Sequence, residues 1–234
     1  MEFNVKSQVS LWLIRVCDIL LSLTAIACFV PCFIILAIIL KLTGEGRVLY
    51  LQERVGYAGE VFYLLKFTTM IQNSPNIGSK ELTLPDDPRV LPIGKILRKT
   101  KFNELPQLFN VLKGDLSLIG PRPQTKYYFN CFYKDDIKFI TSMRPGLSGI
   151  GSVFFRNEEE LFRDHSDAKM FDEKIIMPYK GQLERWYADN LSIRNYFILI
   201  FLSIYVVVTN GKIDLFKIFQ NLPIPPRELK RTKL

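Results

Sequence analysis

The sequence is poor in several groups on which soluble enzymes often build their chemistry. It holds one histidine, His165, set among charged neighbours in "FRDHSDAKM". Histidine-based triads are therefore disfavoured, and His165 reads as a solvated residue rather than a general base. The four cysteines, Cys17, Cys28, Cys32 and Cys131, form no Cys-x-x-Cys pair and no Cys/His spacing suited to zinc. They read as reduced packing residues. Internal repeats and low-complexity linkers are missing, so nothing marks a second globular domain. Negative charge is scarce: 23 Asp+Glu face 31 Lys+Arg, a net charge of +8, which suits a polyanionic partner such as nucleic acid, anionic lipid or a phosphorylated substrate.

The most informative absence is that of any charged side chain from Ile19 to Leu40. A helix of that length spans about 33 Å, the thickness of a bilayer's hydrocarbon core. The run is too long for a cleaved signal peptide, and "LAIILKLTGEG" offers no small-residue cleavage site. Pro31 falls near its middle, and Arg15 and Asp18 lie about one turn apart near its start. Cations stand on both sides, Lys6 and Arg15 before and Lys41, Arg47 and Arg54 after. Charge alone therefore leaves a spanning helix and a kinked, re-entrant one nearly even. With basic residues flanking a membrane segment and no aromatic-basic recognition motif, nucleic acid is not expected as a partner.

What is present after that segment is more specific. "RVLYLQERVGYAGEVFYLLKF" alternates on either side of Gly56–Gly59 and predicts a β-hairpin with strands near 48–53 and 61–66. A polar loop, "QNSPNIGSKELTLPDDPRV", leads to Lys95, Arg98, Lys99 and Lys101, just ahead of "KFNELPQLFNVLKGDLSLIGPRP". There Leu105, Leu108, Phe109 and Leu112 predict one buried helical face, with a start near Glu104, Asn103 as cap, and an end at Gly114. Free N–H groups at such a start attract anions. Read alone, Asn103 is a cap and Glu104 a carboxylate favoured by the helix dipole. Arg122, held between two prolines, is suited to a phosphate or a base. The run Tyr196–Val208 is too short to span a bilayer and reads as a core or interfacial helix. The tail "PPRELKRTKL" suits anionic headgroups.

Three stretches in order, "QERVGYAGEVFYLLKFTTM", "LRKTKFNELPQLFNVLKGDLSLIGPRP" and "RPGLSGIGSVFFRN", resemble the small monotopic phosphoglycosyl transferases, the bacterial sugar transferases, from about Arg15 to the end. The resemblance implies transfer of sugar-1-phosphate from a UDP-sugar to undecaprenyl phosphate, with release of UMP and Mg²⁺ as cofactor, as the first membrane step of surface glycan synthesis. It implies the cytoplasmic face of the bacterial inner membrane, and downstream glycosyltransferases as further partners. It also implies a re-entrant helix with an Arg/Asp motif and a break, matched here by Arg15, Asp18 and Pro31, although Val30 replaces the usual serine before the proline.

The same resemblance implies an Asp-Glu dyad in which the aspartate attacks the donor's diphosphate. Asn103 stands at that aspartate, and Glu104 is the retained member, implied for metal binding and as a candidate nucleophile. An amide has little nucleophilicity. The departure leaves a natural branch using Glu104 or another acid, a disarmed variant, or a catalytically silent relative that binds the same substrates or a partner enzyme; the natural branch is preferred. Glu184 and Tyr196 also depart, each standing where a family acid aligns. Lys66, Arg122 and Arg156 are implied as contacts to donor phosphate and nucleotide. By themselves Lys66 also reads as a hairpin-edge lysine and Arg156 as a helix C-cap, while Asp115 orders the loop after the helix. The expected fold is helix-rich α+β: residues 1–46 a re-entrant membrane helix, and 47–234 a cytoplasmic, membrane-associated catalytic domain with a β-hairpin and interfacial helices.

Overall fold

The computed structural model describes residues 5–43, 45–77, 87–132, 134–162, 167–209, 211 and 213–230. His165, residues 78–86 of the polar loop and residues 231–234 of the basic tail lie outside the described residues. In chain order the elements are α1 (Val5–Leu42), β1 (Leu49–Val55), β2 (Val61–Phe67), α2 (Pro92–Thr100), α3 (Gln107–Lys113), β3 (Ser117–Ile119), α4 (Lys126–Phe129), α5 (Lys134–Ile140), β4 (Gly146–Ser148), α6 (Ile150–Phe154), α7 (Glu158–Leu161), α8 (Ala168–Phe171), α9 (Met177–Asp189), α10 (Ile193–Thr209), α11 (Leu215–Ile218) and α12 (Arg227–Lys230). A π-helical turn, Asp172–Ile176, joins α8 to α9. The described residues thus make a helix-rich protein with small sheets.

The expected hairpin is present. β1 and β2 pair antiparallel from Leu49↔Phe67 to Val55↔Val61. At the connection the backbone turns left-handed at Ala58 and Gly59, and the Ala58 N–H is anchored on the Thr141 carbonyl at 2.9 Å. The second pair, β3 and β4, is parallel and depends on close backbone approach: a Cβ on Gly146 would meet the Gly120 nitrogen at 2.1 Å.

α1 is long and apolar enough to cross a membrane, and it touches the rest of the chain in two places. Near its start Ile14 joins the main core with Ile119, Ile150, Leu183, Tyr187 and Leu199. Near its end Leu36 and Leu40 join Phe67 and Leu97. Burying a leucine contributes about 1.5–3 kcal/mol, so each contact is a substantial anchor. Helical structure continues through Pro31. A proline withdraws one backbone donor from a helix interior, and helical structure nonetheless runs on beyond it to Leu42. Between the anchors Leu20, Leu23, Val30, Ile34, Ile35 and Ile38 are exposed.

Arg15 and Asp18 fasten the first anchor. Arg15 donates to the carbonyls of Val111 (2.6 Å) and Leu112 (2.8 Å), at the C-terminal end of α3, where cations offset free carbonyls. Asp18, 1% exposed, accepts from the Leu118 N–H at 2.9 Å, the Ser117 hydroxyl at 3.1 Å and the Tyr196 hydroxyl at 2.8 Å. An acid at position 196 would face Asp18, and the tyrosine supplies a donor instead.

α3 corrects the sequence reading. Phe102–Glu104 forms a separate 3₁₀ turn, and α3 starts at Gln107 after Pro106, with no side-chain cap. Asn103 is therefore not a cap. Its buried face carries Gln107, Leu108, Asn110 and Val111, whereas Phe109 is exposed on its flank and meets Phe33 of α1. Asn110 is recruited inward because its side chain accepts from the Leu65 N–H and donates to the Tyr63 carbonyl, pairing with β2. α10 is both core and surface: Tyr196, Leu199 and Val206 are buried, while Phe201, Ile204, Tyr205 and Val208 are exposed.

Candidate active site

The site forms where β2, the C-terminal end of α2, the 3₁₀ turn and the Gly120–Pro123 loop converge on a cleft of about 1570 Å³. Lys101 sits at the join of α2 and the 3₁₀ turn with φ at +62°, a left-handed conformation that ends α2. That reversal delivers Asn103 and Glu104 to the cleft wall.

Glu104 is the carboxylate at the centre of a cationic ring. Arg122 Nη2 lies 3.4 Å and Lys101 Nζ 4.0 Å from its Oε1. Burial by itself would raise this carboxyl, but Arg122, Lys101 and Lys66 together outweigh it and hold it at about 2. The cations crowd one another in turn. Burial, aided by Arg54, Arg122 and Arg98, lowers the Lys66 ammonium well below its usual range against the pull of Glu104. Glu104 favours charge on Lys101, yet burial and the neighbouring Arg122, Arg156 and Arg98 lower it overall. Such a ring is electrostatically under-neutralised, and a bound polyanion would relieve it.

Lys66 donates to Gln52 Oε1 at 3.1 Å, and Arg54 donates to the same oxygen at 2.7 Å and to the Pro123 carbonyl at 3.2 Å. This rules Lys66 out as a mere edge residue: it faces the cleft from the hairpin. Arg156 stands at a helix end and beside Glu104. It reaches the Lys99 carbonyl in the last turn of α2 at 3.5 Å, and it feels the Glu104 charge although burial lowers it. Asp115 accepts from Asn110 (3.1 Å) and Lys113 (3.0 Å), and so orders its loop.

Asn103 is 7% exposed, and its Oδ1 has no hydrogen-bond partner. An unsatisfied buried acceptor is costly and calls for an explanation. Next to Glu104 it supplies a second hard oxygen donor. Among the described residues no group of three or more His, Cys, Asp or Glu side chains is poised to hold a metal. Glu104 and the Asn103 amide oxygen are hard oxygen donors of the kind Mg²⁺ takes alongside phosphate and water.

The structure thus brings Lys66, Asn103, Glu104, Arg122 and Arg156 to one cleft and leaves Arg15 and Asp18 outside it, as anchors of α1. Because α3 is short and begins after Glu104, side-chain cations rather than a helix end make the site attractive to anions. Sequence reading overlooked Gln52 and Arg54, whose alternation with Tyr50 on β1 was the available signal. It singled out Glu184 but not its neighbours in the cleft, Asp172, which like Glu184 is 3% exposed, and Lys180, which pairs with Glu158 at 2.5 Å.

Residues 9–210 match the family model described as bacterial sugar transferase. The chain is 35% identical over 194 residues to a UDP-N-acetylgalactosamine-undecaprenyl-phosphate N-acetylgalactosaminephosphotransferase of Aeromonas hydrophila, covering 82% of this chain and 43% of the relative. It is 32% identical over 220 residues to an undecaprenyl-phosphate galactose phosphotransferase of Salmonella typhimurium, covering 88% and 42%. It is 32% identical over 155 residues to the exopolysaccharide production protein ExoY of Sinorhizobium fredii, covering 60% and 68%. The chain spans less than half the length of the first two of these relatives.

Proposed function

The chain belongs to the bacterial sugar transferase family, and from that premise we propose that it transfers sugar-1-phosphate from a UDP-sugar to undecaprenyl phosphate and releases UMP. The observation that carries this reading is the single cleft in which Glu104 is ringed by Lys66, Lys101, Arg122 and Arg156. A nucleotide diphosphosugar presents the dense negative charge this ring lacks, and Arg122 offers a planar fork matched to phosphate oxygens. Burial and the neighbouring arginines lower Lys66, and an arriving diphosphate would favour its charged form.

Glu104, with the Asn103 amide oxygen beside it, would hold Mg²⁺ against the donor's diphosphate. When bound, that ion neutralises charge on the diphosphate and on the departing UMP. Asn103 carries no charge with which to repel the donor. Glu104, ionised throughout the neutral range, is the carboxylate available to touch the reacting phosphate.

Membrane attachment suits a polyprenol acceptor. The exposed apolar faces of α1 and α10 line one side of the cleft through Ala25, Phe29, Ile204 and Val207, while Lys95, Lys99 and Arg98 stand at its polar side. The re-entrant reading of α1 is supported by its two anchors: Ile14 and Leu40 would lie about 39 Å apart along a straight helix, yet both pack on the same catalytic body. With the donor supplied from the cytoplasm, this body belongs on the cytoplasmic face of the bacterial inner membrane, where basic side chains meet anionic headgroups. The product, a lipid-linked diphosphosugar, is a substrate for a glycosyltransferase that extends the glycan.

The test is incubation of purified protein with undecaprenyl phosphate, Mg²⁺ and a panel of UDP-sugars, scored by UMP release. Acceptor-dependent release with at least one donor is expected. Binding of donor without release from any would assign the chain to a catalytically silent relative.

A further inference from the structure

Glu184 on α9 is 3% exposed, and it takes no part in the cationic ring. The backbones of Arg122 and of Gly151 face its carboxyl and favour its charged form, while its Oε2 has no hydrogen-bond partner. The fit is close: a Cβ on Gly151 would stand 2.6 Å from Glu184 Oε1, so a side chain there would displace the carboxyl. The two segments are also stitched to each other. The Gly120 N–H donates to the Ser148 carbonyl at 2.9 Å, and the Gly146 N–H to the Pro121 carbonyl at 2.8 Å. Arg122 thus faces α9 through its backbone, and its guanidinium reaches Glu104 at 3.4 Å.

We propose that Glu184 is the positioning residue for Arg122, fixing the Gly120–Pro123 loop so that the guanidinium faces the donor's phosphates beside Glu104. This rests on the donor-binding reading given above. The charge state of Glu184 suits the task. Burial pushes its carboxyl up to about 8, against the N–H groups of Arg122 and Gly151 and the charges of Lys180 and Arg122. At neutral pH it is largely uncharged, so it holds the Arg122 backbone without drawing the guanidinium away from Glu104. Lys180, four residues earlier on the same helical face, is already paired with Glu158 at 2.5 Å.

The experiment is a double-mutant cycle on UDP affinity, measured by titration calorimetry with Mg²⁺ on the full chain in detergent. Arg122→Ala and Glu184→Ala are each expected to weaken UDP about tenfold, and the double variant to bind within about twofold of Arg122→Ala alone, because both act through one guanidinium. Glu184→Gln keeps an acceptor oxygen at the same reach and should retain affinity within about threefold. Glu184→Asp, one methylene shorter, should lose most of what Glu184→Ala loses. If Glu184→Ala does not fold, the contrast between Gln and Asp, each with and without Arg122→Ala, decides. Multiplying losses, or equal losses in Gln and Asp, would overturn the assignment. Failure of the unaltered chain to bind UDP would overturn the donor site itself, and the assignment with it.

Discussion

The Tyr196 hydroxyl donates to Asp18 Oδ1 at 2.8 Å, joining α10 to the first anchor of α1 through a carboxylate that is almost wholly enclosed. Removing one donor from such a group leaves part of its charge unsatisfied and typically costs about 1–3 kcal/mol. Tyr196→Phe should therefore lower thermal stability by several degrees while UDP affinity stays unchanged, since neither residue enters the cleft. A melting curve in detergent paired with UDP titration checks both halves; a loss of affinity at unchanged stability would place this pair in the site.

Asn103 and Glu104 separate by chemistry. Glu104→Gln should abolish UMP release, because it removes the carboxylate that the cationic ring surrounds. Asn103→Ala should keep part of the activity. Asn103→Asp should raise transfer by an order of magnitude or more if the position lacks only a nucleophile, and donor alone should then leave a phosphosugar adduct visible in the intact mass. Full activity in Glu104→Gln would remove this turn from the chemistry.

The two anchors of α1 lead to a topology prediction. Single cysteines at Val9 and Arg47, in a background lacking the four native cysteines, should label from the same side of sealed vesicles. Opposite accessibility would establish a spanning helix. Pro31→Leu restores the missing backbone donor and should shift the labelling toward the spanning pattern.

Acid and alkali should act through different carboxyls. Glu104 is held at about 2 against an ordinary value of 4.5, so its contribution to stability is present above pH 4.5 and is lost as pH falls toward 2. Glu184 is raised to about 8 from the same 4.5, so the folded state holds its proton more tightly and stability declines as pH rises from 4.5 to 8. Relative to the unaltered chain, Glu104→Gln should therefore gain ground in acid and Glu184→Gln toward pH 8. Melting temperatures from pH 3 to 9 measure this, and parallel curves for all three proteins would refute it.

The features readable along the chain were those that local periodicity and composition encode. The uncharged run from Ile19 to Leu40 specified an apolar helix, and the alternation around Gly56–Gly59 specified the hairpin to within two residues at each strand end. Lys66, Asn103, Glu104, Arg122 and Arg156 were legible as candidates through their motifs, and they line one cleft. Only the tertiary structure decided how they are held. Pro106 delays α3 to Gln107, which converts Asn103 from a cap into a buried amide with an unsatisfied oxygen. Asn110 turns inward because β2 offers it a backbone donor and acceptor. Asp18 finds Tyr196 at a separation of 178 residues, and Glu184 comes to rest under Arg122. Periodicity reports which face of an element is apolar. It carries no information on which buried polar group will meet which across the fold, because that pairing is set by the packing of distant elements and by the need to satisfy each group removed from water.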